Sequence, residues 1–185
     1  MPGMNQALLP VGRILVGIAT LALVGPRSAD AQVTKATVPG VTNFSKLETT
    51  IACAGATTPE AVPAIKEMGY KSIINLRLAN EPGANVEGEA AAAKAAGITY
   101  VHIPFNTASP DPAVADTFLA AVTKPENTPA FIHCASANRA AAMWMIKRMV
   151  VDKWDVDRAG TEAAALGLTN ANLRAFVVEY SRSHQ

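Results

Sequence analysis

From about residue 58 to residue 139, short apolar runs alternate with longer stretches of helical spacing, and this alternation constrains the fold most. Ser72–Leu76, Ile98–Ile103 and Pro129–His133 have strand length and sit beside glycine or proline. Helical signals separate them. Thr58-Pro59-Glu60 reads as a helix start, with a hydroxyl cap, proline in the first turn and then an acid. Val62, Ile65 and Met68 follow at helical spacing, and Gly69 ends the segment. Ala90–Ala96 ends at Gly97, and Asp111-Pro112 opens a helix carrying Val114, Phe118, Leu119 and Val122 on one face. A long helix is expected from about Asn138, and Asp155 and Thr169 read as the caps of two more. Strands joined through helices predict an α/β fold with a mostly parallel central sheet flanked by helices. Residues 32–45 read as an extended lead-in.

With 185 residues, 50% of them apolar, the chain suits one domain with a substantial core. The formal net charge is +1 and no basic run occurs, which argues against nucleic-acid binding through phosphate contacts. The N-terminus reads as a targeting segment. Arg13 precedes the uncharged stretch Ile14–Val24, and Ser28-Ala29-Asp30-Ala31 resembles a signal-peptidase site. Residues 1–31 are therefore expected to be a signal peptide cleaved after Ala31. Residues 32–185 would form the domain, periplasmic or secreted, with no membrane contact after cleavage. The chain has two cysteines, Cys53 and Cys134. They would either pair or remain as one reactive and one packed thiol, which spacing does not decide. Together with three scattered histidines they make no zinc pattern.

The stretch that carries chemistry is Phe131-Ile132-His133-Cys134-Ala135-Ser136-Ala137-Asn138-Arg139. An apolar strand runs into a thiol, then four small or polar residues, then an arginine at a helix start. Backbone N–H groups of such a turn converge as a nest for an anion. The same field favours a thiolate, and an arginine fork holds two oxygens of a tetrahedral anion. A thiolate beneath a bound oxyanion is what phosphoryl transfer through a phosphocysteine needs. By itself, a cysteine at a strand end is more often a small buried hydrophobe.

Asn43–Lys46, Gly55–Glu60, Gly69–Arg77, Glu89–Phe105 and His133–Arg139 together resemble the cysteine-dependent, dual-specificity or tyrosine-phosphatase-like family. More narrowly, they resemble the bacterial phosphatase-like domain also found fused to β-lactamase-like hydrolases. The resemblance implies Cys134 as nucleophile, Arg139 as anion ligand and His133 as the residue that orients the thiolate. It implies backbone donors from Ala135, Ser136, Ala137 and Asn138, and an aspartate beyond Pro104 as general acid. It implies no cofactor or metal, and a phosphorylated small molecule or phosphoprotein, phosphotyrosine included, as partner. The chain departs from the usual pattern in three ways. Four residues rather than five separate Cys134 from Arg139, a loop length shared with rhodanese-type sulfurtransferases. Ala140 stands where a serine or threonine is common. Asn106 and Thr107 stand where an acid is expected, leaving Asp111 as the acid candidate, or as a helix cap, with Asp116 the weaker substitute. Sulfur transfer through a Cys134 persulfide and non-catalytic anion or phosphoprotein binding are therefore the alternatives. Arg77 faces the pocket or makes a surface ion pair, His102 is structural, and Cys53 pairs with Cys134 or packs.

Overall fold

The computed structural model describes Gly3, residues 32–48 and residues 50–184. The expected signal peptide, apart from Gly3, lies outside them. A six-stranded sheet has the order β1-β2-β3-β6-β4-β5. Its strands are β1 (Val33–Lys35), β2 (Ser45–Leu47), β3 (Ile51–Ala54), β4 (Ser72–Asn75), β5 (Thr99–His102) and β6 (Ala130–His133). β1, β2 and β3 pair antiparallel, whereas β3, β6, β4 and β5 run parallel. The parallel strands are short and mostly buried, as expected where helices cover both faces.

The helices are α1 (Val62–Glu67), α2 (Val86–Ala96), α3 (Pro112–Val122), α4 (Asn138–Val150), α5 (Val156–Leu166) and α6 (Ala171–Ser183). One core gathers Phe44, Ile65, Ile73, Ala93 and Phe131 with residues of α1 and α2. The larger core, on the other face, gathers Ile74, Phe118, Ile132, Met143, Trp144 and Val177. Ile73 and Ile74, and Phe131 and Ile132, are divided between the two cores because adjacent strand residues face opposite ways. β6, last of the parallel strands in sequence, inserts between β3 and β4. Its C-terminal end therefore opens at a switch in strand order, where open α/β sheets bind ligands.

Several local expectations are corrected. The lead-in supplies β1 and part of β2, and the fully buried Ile51-Ala52-Cys53-Ala54 is a strand. Thr58 makes no side-chain cap bond, and the segment begins as a 3₁₀ turn at Pro59–Ala61. α2 starts at Val86 rather than Ala90, because Asn85 Oδ1 accepts the Gly88 N–H at 3.0 Å. The cap of α6 is Asn170, which accepts the Leu173 N–H, and not Thr169. Asp155 caps α5 as expected.

Candidate active site

The loop from Cys134 to Asn138 leaves β6 and turns into α4, stitched on one side to the exit of β3. The Cys134 N–H donates to Ala54 O at 3.1 Å and the Ala56 N–H to Ala135 O at 3.0 Å. Gly55 lies so close that a Cβ there would sit 2.3 Å from Thr42 Oγ1 and 3.0 Å from Ala135 O. Ala137 is buried and left-handed at φ 75°, a conformation that costs a non-glycine residue about 1–2 kcal/mol. Past it, the first turn of α4 presents N–H groups with no partner inside the helix, a ready site for an anion. On the far side, Asn138 Oδ1 accepts the N–H groups of Thr169 and Asn170, both at 2.8 Å. Asn138 thus ties the loop to the α5–α6 connection, beyond the backbone role assigned to it from sequence.

Arg139, on the first turn of α4, is 7% exposed and held from two sides. Its Nη1 donates to Leu76 O at 3.0 Å, to Phe105 O at 3.1 Å and to Glu81 Oε1. Its Nη2 donates to Glu81 Oε2 at 2.7 Å. Burial alone would ease the proton off, but hydrogen bonds to Glu81 and the Cys134 sulfur beside the guanidinium outweigh it and push the pKa up. Burial likewise works against ionised Glu81. The Arg139 hydrogen bond, the Leu78 N–H and the Arg139 charge prevail, holding its carboxyl at about 2. The carbonyls of Leu76 and Phe105 and a forked carboxylate fix one edge of the guanidinium.

Sequence reasoning missed Glu81. The available signal was its i, i+4 spacing from Arg77, just before Pro82-Gly83. Arg77 is neither a pocket residue nor a surface ion pair. It is 3% exposed and donates to Glu81 Oε2, Gly83 O and Pro82 O, which folds the connection after β4 and aims Glu81 at Arg139. His102, read as structural, bonds Arg77 O at 2.8 Å through Nε2.

His133 is fully buried, and its ring packs 5.9 Å from that of Phe131 on the α1–α2 face. Cys134 belongs to the opposite core. The His133 ring nitrogen Nε2 lies 2.9 Å from Glu89 Oε2 without aligning as a hydrogen bond. Cys53 and Cys134 are both buried and free. Burial, with added repulsion from Cys134 and Glu162, pushes the Cys53 thiol well up, as suits a packed thiol.

A cavity of about 400 Å³ lies against the loop, lined by Leu78, Glu81, Phe105, Asn106, Thr107, Ser136, Arg139 and Asn170 among others. Cys134 has no exposed surface. A larger cavity of about 590 Å³ shares Ser136 and Asn138 but is not lined by Arg139, so the smaller one is where an anion would meet the guanidinium. Asp111 does not line it. Its carboxylate accepts the Ala113 N–H at 2.9 Å and caps α3. Asp116 accepts the Tyr180 hydroxyl instead. Among the described lining residues Glu81 is the one acid, and it is ionised and engaged.

The fold is that of the cysteine-dependent phosphatases of the tyrosine and dual-specificity type. Residues 43–151 match the family described as "Beta-lactamase hydrolase-like protein, phosphatase-like domain", and the chain belongs to that family. A comparison with curated proteins finds no match. Among solved structures, the chain is similar to TpbA of P. aeruginosa at 18% identity and a TM-score of 0.62, over 86% of this chain and 94% of that one. A cysteine-to-serine form of TpbA in complex with pTyr matches at 16% identity and a TM-score of 0.62, over 86% and 93%. The core catalytic domain of the PP-IP phosphatase SIW14 from S. cerevisiae matches at 20% identity and a TM-score of 0.64, over 78% and 88%. At these identities the likeness speaks for the fold.

Proposed function

We propose that this protein is an exported phosphatase, periplasmic or secreted, that hydrolyses phosphomonoesters through a phosphocysteine on Cys134. The arrangement at Arg139 supports this reading most. A guanidinium held by Leu76 O, Phe105 O and Glu81 stands beside the cysteine sulfur, at the N-terminal turn of α4. In the first step the Cys134 sulfur attacks phosphorus, forming a P–S bond as the bond to the leaving oxygen breaks. Arg139 and the amides of the loop and first helical turn hold the non-bridging oxygens. In the second step water attacks phosphorus, the thiolate leaves and inorganic phosphate is released.

The described cavity offers no protonated carboxyl to the leaving oxygen. Glu81 is ionised at neutral pH and Asp111 caps a helix. The enzyme so read favours leaving groups that depart without general acid help, such as phenolates and phosphates. The TpbA complex with pTyr and the PP-IP phosphatase SIW14 are in keeping with those classes. The test is steady-state hydrolysis of p-nitrophenyl phosphate and an alkyl phosphate under reducing conditions, with Cys134→Ser as control. Aryl turnover that Cys134→Ser abolishes, and that exceeds alkyl turnover by at least about a hundredfold, fits the reading. Aryl turnover equal in the two proteins, or absent from acid to neutral pH, overturns it.

A further inference from the structure

The mechanism above leaves the larger of the two cavities at the reactive loop without a role. That cavity, of about 590 Å³, shares Ser136 and Asn138 with the one that meets Arg139, so the two adjoin across the loop. One wall comes from the chain between β1 and β2. Lys35 ends β1 on the same face as Val33, which packs on the larger core. Thr42 O accepts the Gly55 N–H at 2.7 Å, which ties this chain to the exit of β3. Asn43, left-handed at φ 49°, donates from Nδ2 to Ser136 O at 3.4 Å. The opposite wall is the α5–α6 connection, which Asn138 Oδ1 holds through the Thr169 N–H. The antiparallel lead-in thus does more than widen the sheet. It closes a recess against the loop.

Charge separates the two cavities. In the smaller one Glu81 and Arg139 are paired, so their charges cancel. Among the described residues lining the larger one, Lys35 is the one that is charged. It is exposed, and no described carboxylate pairs with it. The rest of the lining mixes hydroxyl and amide groups with apolar side chains such as Val41 and Leu166. Taken as one cleft, the lining carries a single uncancelled charge, the ammonium at its far end. Such a recess is complementary to an anion on a partly apolar stem.

We propose that the two cavities form one substrate cleft, in which the larger takes the part of the substrate beyond the scissile phosphate and Lys35 meets a second anionic group there, a carboxylate or a phosphate. The substrate class narrows accordingly to phosphorylated molecules that carry a second anion across the width of the loop. The inference rests on the reading of the Cys134–Arg139 loop as the place where the scissile phosphate is held.

The test is titration calorimetry with the Cys134→Ser chain. It needs no turnover, so failure of hydrolysis and failure of this subsite are distinguishable. Two pairs of probes differ by one distal anion each. They are the end-capped dipeptides phosphotyrosyl-aspartate and phosphotyrosyl-asparagine, and 1,4-phenylene bisphosphate beside phenyl phosphate. The readout is the affinity ratio within a pair. Lys35→Ala should lower the ratio about two- to fivefold, the scale of one exposed ion pair, and Lys35→Glu should lower it further. The effect should shrink as salt is raised. Both changes fall at an exposed strand end, and circular dichroism checks that the variants fold. An effect confined to the dipeptides assigns an acidic phosphopeptide, and one confined to the bisphosphate assigns a small molecule with two phosphates. Either supports the subsite. A ratio that Lys35→Ala leaves unchanged in both pairs, or no binding of any probe, overturns it.

Discussion

Replacing Glu81 by glutamine tests whether the carboxylate on Arg139 holds the site together, and its effect has a calculable sign with pH. The drop from an ordinary 4.5 to about 2 corresponds to roughly 3 kcal/mol in favour of the ionised carboxylate. The side chain is 19% exposed and reaches solvent in the cavity, so screening leaves about 1–2 kcal/mol. At pH 7 the Glu81→Gln chain should melt about 2–8 °C below wild type. Because the folded pKa lies below the unfolded one, this contribution is fully present above about pH 5 and is lost as pH falls toward 2. The gap between the two melting temperatures should therefore close from pH 5 to pH 2. Other depressed carboxyls, such as Asp152 beside Lys147 and Arg148, are common to both proteins and cancel. Thermal unfolding by circular dichroism at pH 7, 5, 4, 3 and 2 measures the gap. A difference that stays constant across this range, or none at pH 7, refutes the argument. Arg139 keeps Leu76 O and Phe105 O in the variant, so kcat/KM toward an aryl phosphate should fall about 10- to 100-fold rather than vanish.

Gly55→Ala forces a Cβ against Thr42 Oγ1 and Ala135 O. It should cost about 1–3 kcal/mol in urea unfolding, and a Thr42→Ala second change should recover only part, because the backbone contact with Ala135 remains. Asp111→Asn keeps an N-cap and should leave kcat/KM within about twofold, whereas Asp111→Ala should lose about 1 kcal/mol of stability. A rate loss of 100-fold or more in the asparagine variant, read by aryl phosphate turnover, would restore Asp111 as the acid. Asn138→Ala strips the acceptor from two N–H groups of the α5–α6 connection. It should lower stability by about 1–3 kcal/mol and raise amide exchange at Thr169 and Asn170, measurable by hydrogen exchange.

What could be read from the residues divides by the range of the interaction that fixes it. The strand–cysteine–turn–arginine–helix order is local, so it and the parallel strands β4, β5 and β6 were legible in the pattern of apolar runs. The left-handed residue was not, because a glycine would ordinarily mark it and here Ala137 takes φ 75°. β3 was hidden because Ile51-Ala52-Cys53-Ala54 alternates nothing, being buried on both faces. Asp111 illustrates a conflict between two readings of one carboxylate beside Pro112, which the structure decides by spending its oxygen on the Ala113 N–H. Glu81 and Glu89 were invisible for a different reason. Each lies in a stretch that looks like solvated surface, and each becomes part of the site through partners 58 and 14 residues away in sequence, Arg139 and Asn75. Their importance follows from burial beside a cation or an imidazole, which no window of local sequence contains. The two acids frame the loop from its two sides, Glu81 fixing the anion-binding arginine and Glu89 reaching the histidine before the nucleophile. Neither acid takes the place of one at Asn106 or Thr107, so under the function proposed above the leaving group must depart unaided.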